Sequence, residues 1–308
     1  MRNDSTSTEC PTVPVERAEF RKLREAGAPP GISRAIGLRF VAWRDALARK
    51  LIRAGMTPNR LTVLGLLMTA GAGGCLAVGA SQQVPYLQGA AGPVGWSPVL
   101  AGLFLVLAGA CDMLDGAVAR LGNMSTRFGQ ILDSVLDRFS DMAIYVGCAL
   151  HFTWQGNVTY QLLAVLALCH ACLISYVKAR SENLIPDCSV GYWMRGERIA
   201  AVLIGCATGH VPAVLWQQAI SPFFTVVRRL SYAGRVVQAM DRHEALPAAG
   251  PVPGWRGRLQ LWRYPRGSIS YDLVTGFNIA YIVLAARFWP ALQASGYWAD
   301  PLARLLGR

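Results

Sequence analysis

The sequence contains little charge for its length. Of its 308 residues, 16% are Asp, Glu, Lys or Arg and 53% are hydrophobic, whereas soluble domains typically carry about 25% charged residues. The mean hydropathy is +0.31. Residues 61–80, and residues 98–110 with their continuation towards Arg120, are apolar stretches that approach the roughly 20 residues a helix needs to cross a bilayer. The scarcity of charge therefore favours an integral membrane protein.

Lysine is especially scarce, with three residues against 27 arginines, although the net charge is +12. Arginine-rich loops alternate with loops that carry almost no charge, which is the distribution that the positive-inside rule describes. We therefore expect no nucleic-acid partner. The pattern predicts an all-α integral membrane protein, a bundle of six transmembrane helices with a cytosolic N-terminus. The predicted spans lie at roughly 60–80, 97–120, 129–152, 160–181, 196–214 and 216–236.

The two ends of the chain lie outside this bundle. No apolar core lies near Met1, so no cleavable signal is predicted, and residues 1–30 are predicted to be a disordered cytosolic tail. Residues 31–55 mix apolar side chains with arginines, which predicts an amphipathic juxtamembrane helix; an ordinary solvated helix is the alternative. Residues 237–308 are predicted to form a C-terminal extension with one apolar helix at 273–292, which either spans the membrane or packs at its interface.

Four aspartates lie in the second and third predicted spans, where each Asp at a helix centre costs about 2.5 to 3.5 kcal/mol. Asp112 and Asp115 are three residues apart, and Asp133 and Asp137 are four apart, so each pair lies on one face of its helix. The short connection at 121–128 makes the two helices antiparallel neighbours. We therefore expect the four carboxylates to converge on one cavity.

Convergent carboxylates need a counter-ion, because like charges in a low dielectric repel each other. Oxygen ligands without Cys or His favour Mg²⁺ or Mn²⁺, which usually complete their coordination with substrate phosphates. Gly116, Ala119 and Gly129 leave space beside the acids, and Arg120 is placed to pair with a phosphate oxygen. Asp112 lies about 15 residues, or roughly 22 Å, from the outer start of its span. This depth predicts a site near the cytosolic leaflet.

The spacing of these residues resembles the signature of the CDP-alcohol phosphatidyltransferase family. Its defining positions are Asp112-x2-Asp115-Gly116-x2-Ala119-Arg120, eight residues, and Gly129-x3-Asp133-x3-Asp137. Residues 57–62 also look like the family, and the resemblance gives a transmembrane domain at 56–236. It implies an enzyme that transfers a phosphatidyl group from CDP-diacylglycerol to the hydroxyl of a polar alcohol and releases CMP. It further implies a homodimer in the cell inner membrane, with the active site facing the cytosol.

The resemblance also assigns roles to individual residues. In this family the four aspartates hold two metal ions, here Mg²⁺ or Mn²⁺, and the fourth aspartate is also the general base. Asp112, Asp115, Asp133 and Asp137 would therefore be metal ligands, and Asp137 would take the proton from the acceptor hydroxyl. Asp141 continues the same helical stripe and is either an outer acid or the partner of a buried Arg or hydroxyl. The resemblance assigns the cytidine nucleotide to Asn59, Thr62, Gly116, Ala119, Arg120 and Gly129.

The identity of the acceptor alcohol follows from a likeness to one subgroup of this family. Residues 176–180, the Glu197–Arg198 pair and residues 225–229 look most like the bacterial phosphatidylinositol-phosphate synthases. This likeness implies inositol 1-phosphate as the acceptor; glycerol 3-phosphate is the alternative. The acceptor phosphate would bind to Lys178, Arg180, Arg198 and Arg229.

Two functions of other classes fit parts of the sequence. A divalent cation transporter or channel also carries intramembrane carboxylates, but typically near the midplane rather than near one leaflet. A degenerate family member acting as a structural partner is expected to have lost at least one acid, whereas the motif here is intact. Both alternatives are therefore weaker than a transferase.

Overall fold

The computed structural model describes residues 32–87, 93–247, 269–288 and 300–307, and the regular secondary structure in these ranges is helical. The predicted disordered tail at 1–30 lies outside these described residues. The helices are α1 (Ile32–Arg53), α2 (Pro58–Gly79), α3 (Ser97–Leu121), α4 (Arg127–Trp154), α5 (Val158–Ser181), α6 (Arg195–Thr208), α7 (Val211–Asp241), α8 (Ile269–Phe288) and α9 (Pro301–Leu305).

The local sequence sets the helix ends that matter for the site. Thr126 has an extended backbone, and its Oγ1 accepts a hydrogen bond from the Gly129 N–H at 2.9 Å, so it caps α4. Pro58 opens α2 in the first turn, where its missing N–H costs nothing. Residues 122–126 are thus the whole connection between α3 and α4. The two aspartate-bearing helices are therefore antiparallel neighbours, as the short connection predicts.

Three of the helices, α2, α3 and α5, are long and apolar enough to cross a membrane. The longer helices α4 and α7 carry more charge, including Asp133 in α4 and Arg229 in α7. The predicted span at 196–214 was wrong in its extent, because α6 has 14 residues and ends at Thr208, just before Gly209, whose φ is 71°. A left-handed glycine is a common helix end, and 14 residues rise only about 21 Å.

The outward faces of the helices carry many large apolar side chains. Leu67, Leu103, Leu162 and Phe223 are between 44% and 59% exposed. In water such a surface would cost roughly 25 cal/mol for every Å² of apolar area, whereas lipid tails solvate it. Together with the three apolar helices, this surface makes the chain a membrane protein, and the regular secondary structure of its described residues is helical. The inward faces form a core that includes Leu76, Ala101, Ile144, Tyr160, Ile174, Trp193, Val202 and Leu215.

The described parts of the C-terminal extension pack against the bundle. In α8, Tyr271 donates a hydrogen bond to Glu197 of α6 at 2.5 Å, and Asn278 accepts one from Gln217 of α7 at 2.8 Å. These contacts put the polar side of α8 against the protein. The apolar stretch of α8 among the described residues, Tyr271–Leu284, is shorter than a span.

Asp300, at the start of α9, ties this helix to α5. Its carboxylate accepts hydrogen bonds from the backbone N–H groups of Val158 at 2.7 Å, Thr159 at 3.1 Å and Ala303 at 3.0 Å. Burial alone would raise the pKa of Asp300, but these hydrogen bonds outweigh it and hold the pKa below its usual value. The ionised carboxylate therefore caps two helix N-termini at once.

Helices α2 and α4 approach each other through glycine. A Cβ added to Gly73 would lie 2.3 Å from the carbonyl oxygen of Ala143, and one added to Gly147 would lie 2.2 Å from the carbonyl oxygen of Gly73. The two backbones therefore touch at this crossing, as small residues allow in membrane helices. The crossing holds the start of α2, with Asn59 and Thr62, beside the aspartates of α4.

We expect the substitution Gly73→Ala to destabilise the protein, because the methyl group can be accommodated only by moving α2 away from α4. Overpacking of this kind typically costs about 1–3 kcal/mol. The loss should appear as a lower midpoint of thermal unfolding in detergent. Gly74→Ala is the matched control, since a Cβ there meets nothing within 4 Å. Equal midpoints for the two variants would contradict the close crossing.

Candidate active site

The four aspartates line one cavity of about 940 Å³ between α1, α2, α3, α4 and α6. Asp112 and Asp115 reach it from α3, and Asp133 and Asp137 reach it from α4. One carboxylate oxygen each of Asp112, Asp133 and Asp137 lies within 4.8 Å of the others. The structure therefore brings three of the four carboxylates into one cluster.

Asp115 is held apart from this cluster by a hydrogen bond. The Thr62 hydroxyl on α2 donates to Asp115 Oδ2 at 2.9 Å, and Asp115 is 8% exposed. The same hydroxyl lies 3.1 Å from the carbonyl oxygen of Pro58. Thr62, on the side of the cavity that α2 lines, thus orients the side chain of Asp115, which reaches the cavity from α3.

The residues fit a divalent cation. Carboxylate oxygens are the ligands that Mg²⁺ and Mn²⁺ prefer. Asp133 Oδ1 is buried and finds no hydrogen-bond donor within the part of the chain that the structure describes. Because a buried carboxylate oxygen is normally satisfied, an unpaired one beside Asp112 and Asp137 is suited to bind a cation. Asp112, Asp133 and Asp137 are the residues that would hold it, with Asp115 close by.

Arg195, which the sequence analysis did not select, lies in the same cluster. Its Nη1 donates a hydrogen bond to Asp112 Oδ1 at 3.0 Å and forms an ion pair with Asp137 Oδ1 at 2.8 Å. Arg195 is the first residue of α6 and precedes Arg198 by three positions, so helical periodicity puts both on neighbouring faces. The available signal was its place in the run Arg195-Gly196-Glu197-Arg198, where topology alone also accounts for positive charge.

The residues expected to bind the nucleotide surround the aspartates in part. Thr62, Gly116 and Arg120 line the cavity. Asn59 and Gly129 lie at the adjoining ends of α2 and α4, where a Cβ on Gly129 would be 3.3 Å from Asn59 Oδ1. The side chain of Ala119 is not among those that line the cavity, and its carbonyl oxygen accepts the Met124 N–H at 2.9 Å and the Ser125 hydroxyl at 3.3 Å.

The residues expected to bind the acceptor phosphate do not line this cavity. Lys178 Nζ lies 3.7 Å from Glu182 Oε1, and Arg180 is exposed. Arg198 is buried and donates to Asp141 Oδ2 at 2.6 Å, so Asp141 is the partner of a buried arginine. Arg229 is also buried, and it donates to the carbonyl oxygens of Val190 at 3.0 Å and of Ile174.

Comparison with known proteins gives a consistent family. The model of the CDP-alcohol phosphatidyltransferase family matches residues 55–233, a range that contains all four aspartates. The phosphatidylinositol phosphate synthase of Mycobacterium tuberculosis is 33% identical to this chain over 239 residues, which are 72% of this chain and 97% of that protein.

Two crystal structures of the same mycobacterial synthase are similar to this fold. The complex with manganese and citrate has a TM-score of 0.54 and 28% identity, and covers 70% of this chain and 98% of that one. The structure with CDP-DAG bound has a TM-score of 0.52 and 28% identity, and covers 62% and 92%. The likeness extends over nearly the whole of the solved chain.

Proposed function

Because this chain belongs to the CDP-alcohol phosphatidyltransferase family, we propose that it transfers the phosphatidyl group of CDP-diacylglycerol to inositol 1-phosphate and releases CMP. The chain is a membrane phosphotransferase that depends on a divalent metal. The observation that carries the choice of acceptor is the match to a phosphatidylinositol phosphate synthase along 97% of that protein's length. The cluster of Asp112, Asp133 and Asp137 supplies the matching chemistry.

Asp137 is proposed to act as the general base. Its carboxylate faces the cavity, where an acceptor hydroxyl can approach within hydrogen-bond distance. As the acceptor oxygen bonds to the phosphorus that carries the lipid, the hydroxyl proton passes to Asp137, and the bond from that phosphorus to CMP breaks. A divalent cation, when bound, neutralises the diphosphate and stabilises the leaving phosphate. Asp112, Asp133 and Asp137 would hold it, together with Asp115.

The two substrates are proposed to bind on different sides of the aspartates. Asn59, Thr62, Gly116, Ala119, Arg120 and Gly129 take the cytidine nucleotide at the ends of α2, α3 and α4. Half-buried Lys178 and exposed Arg180 lie at the end of α5, where they can receive the acceptor phosphate. Arg198 and Arg229 would support that phosphate from their buried positions behind it.

The arrangement in the membrane is proposed from the charge pattern. Arginine-rich connections on one side support a cytosolic N-terminus and a site at the cytosolic face of the inner membrane. Helices α2 to α7 would then form the six-span domain at 56–236, with α1 as an interfacial helix at 31–55 and residues 237–308 as an extension. A homodimer is part of the same proposal.

The acceptor is tested by CMP release from the purified protein with CDP-diacylglycerol and Mg²⁺ or Mn²⁺. We expect release with inositol 1-phosphate and little with free inositol or serine, because only a phosphorylated acceptor can pair with Lys178 and Arg180. Glycerol 3-phosphate is also phosphorylated, and we expect less release with it because the similar relative is a phosphatidylinositol phosphate synthase. The Asp137→Asn protein controls for contaminating activity. CMP release with glycerol 3-phosphate alone would show that glycerol 3-phosphate, and not inositol 1-phosphate, is the acceptor. No CMP release with any acceptor, together with Mn²⁺ flux into liposomes, would favour a transporter.

A further inference from the structure

The guanidinium group of Arg195 lies among the carboxylates that would bind metal. Arg195 Nη1 lies 3.0 Å from Asp112 Oδ1 and 2.8 Å from Asp137 Oδ1. Those two aspartates, with Asp133, form the cluster whose oxygens lie within 4.8 Å of one another. The same carboxylates thus serve Arg195 in this structure and would serve a divalent cation, so the two cations compete for them.

The contact between Arg195 and Asp112 lies where it can be broken. The Arg195 side chain is 27% exposed and that of Asp112 is 48% exposed, and both line the cavity. Arg195 Nε is buried and finds no hydrogen-bond acceptor among the described residues, so the guanidinium is not fully satisfied where it lies. A single positive charge also balances the cluster less well than a divalent ion does.

Arg198, the next arginine on α6, forms a buried ion pair that contrasts with the contacts of Arg195. Arg198 donates to Asp141 at 2.6 Å, and the two side chains are 1% and 3% exposed. Breaking such a sealed pair strands a buried charge and is strongly unfavourable. Arg195 differs because it lines the cavity, which leaves space into which the guanidinium can turn. Helix α6 therefore carries one fixed arginine and one that can be exchanged.

We propose that Arg195 is an exchangeable counter-cation of the active site. It pairs with Asp112 and Asp137 while they hold no metal, and it leaves them when a divalent cation binds. The freed guanidinium then lies in the same cavity and binds a phosphate group of a substrate, for which its planar fork is suited. This role rests on the proposed function only in its last step. Metal binding thereby prepares the site for phosphate.

The competition is tested by titrating the metal-free, full-length protein with Mn²⁺ and following free Mn²⁺ by electron paramagnetic resonance. Arg195→Gln should bind Mn²⁺ about tenfold more tightly than the unsubstituted protein, the fold-change that corresponds to one charge-assisted hydrogen bond. Arg138→Gln is the matched control, because Arg138 donates to the Ser134 carbonyl oxygen and its loss removes one nearby charge without freeing a carboxylate. Equal shifts in both variants, or weaker binding by Arg195→Gln, would overturn the proposal.

A second measurement needs no substitution. Phenylglyoxal modification of Arg195, mapped by mass spectrometry, should be slow in the metal-free protein and faster with Mn²⁺. Unchanged reactivity on adding Mn²⁺ would overturn the exchange. Protection of the Mn²⁺-loaded protein by inositol 1-phosphate would identify the acceptor phosphate, and protection by CDP-diacylglycerol the diphosphate; protection by neither would overturn the phosphate step. Because neither measurement uses turnover, failure of CMP release would count against the proposed function alone.

Discussion

Asp137→Asn should abolish CMP release while leaving the protein able to bind CDP-diacylglycerol. The amide keeps the size of the side chain and one oxygen, but it cannot accept the proton of the acceptor hydroxyl. Removing a general base typically costs about 10²- to 10⁴-fold in rate, and the lost negative charge in the cluster adds to that. The rate is measured as CMP formed from CDP-diacylglycerol and inositol 1-phosphate at saturating Mn²⁺.

A binding measurement distinguishes whether Asp137 acts as a general base or as a ligand of the nucleotide. Calorimetric titration with CDP-diacylglycerol at saturating Mn²⁺, which offsets the loss of one metal ligand, should give a similar affinity for Asp137→Asn and the unsubstituted protein. Asp241→Asn is the control, since Asp241 is an exposed acid at the end of α7 and its replacement also removes one negative charge. If Asp137→Asn lost the CDP-lipid along with turnover, Asp137 would be a substrate ligand and the base would lie elsewhere.

The aspartate cluster could be predicted because its determinants are local. Spacing of three and four residues fixes a common helix face, and a connection of a few residues fixes which helices are neighbours. The same reasoning gave helices close to the observed α2 to α5. It missed the end of α6, because hydropathy alone runs on through Gly209 and Val211. There the left-handed glycine and the following Pro212, rather than any loss of apolar character, end the helix.

The choice among the arginines depends on contacts that the sequence does not contain. Arg195 and Arg198 are three residues apart on one helix, so periodicity does not say which of them faces the metal ligands. Depth and rotation of α6 against α3 and α4 decide it. They place Arg198 on buried Asp141, and Arg195 on Asp112 and Asp137. The contact of Gly73 with the backbone of α4 is likewise a property of the packed bundle.

Asp133→Asn should weaken Mn²⁺ binding more than any change outside the cluster. Asp133 Oδ1 is buried without a donor among the described residues, so it is free to coordinate, and the amide removes a charge that a cation needs.

We expect at least the roughly 10- to 100-fold loss of metal affinity that follows from mutating a supporting partner, measured by the same Mn²⁺ titration. Asp241→Asn should leave the affinity unchanged. Asp133→Asn and Arg195→Gln then shift Mn²⁺ affinity in opposite directions, because one removes a ligand of the cation and the other removes its competitor. An unchanged affinity in Asp133→Asn would place the metal elsewhere. The contacts of Arg195 with Asp112 and Asp137 would then be ordinary salt bridges with no role in metal binding.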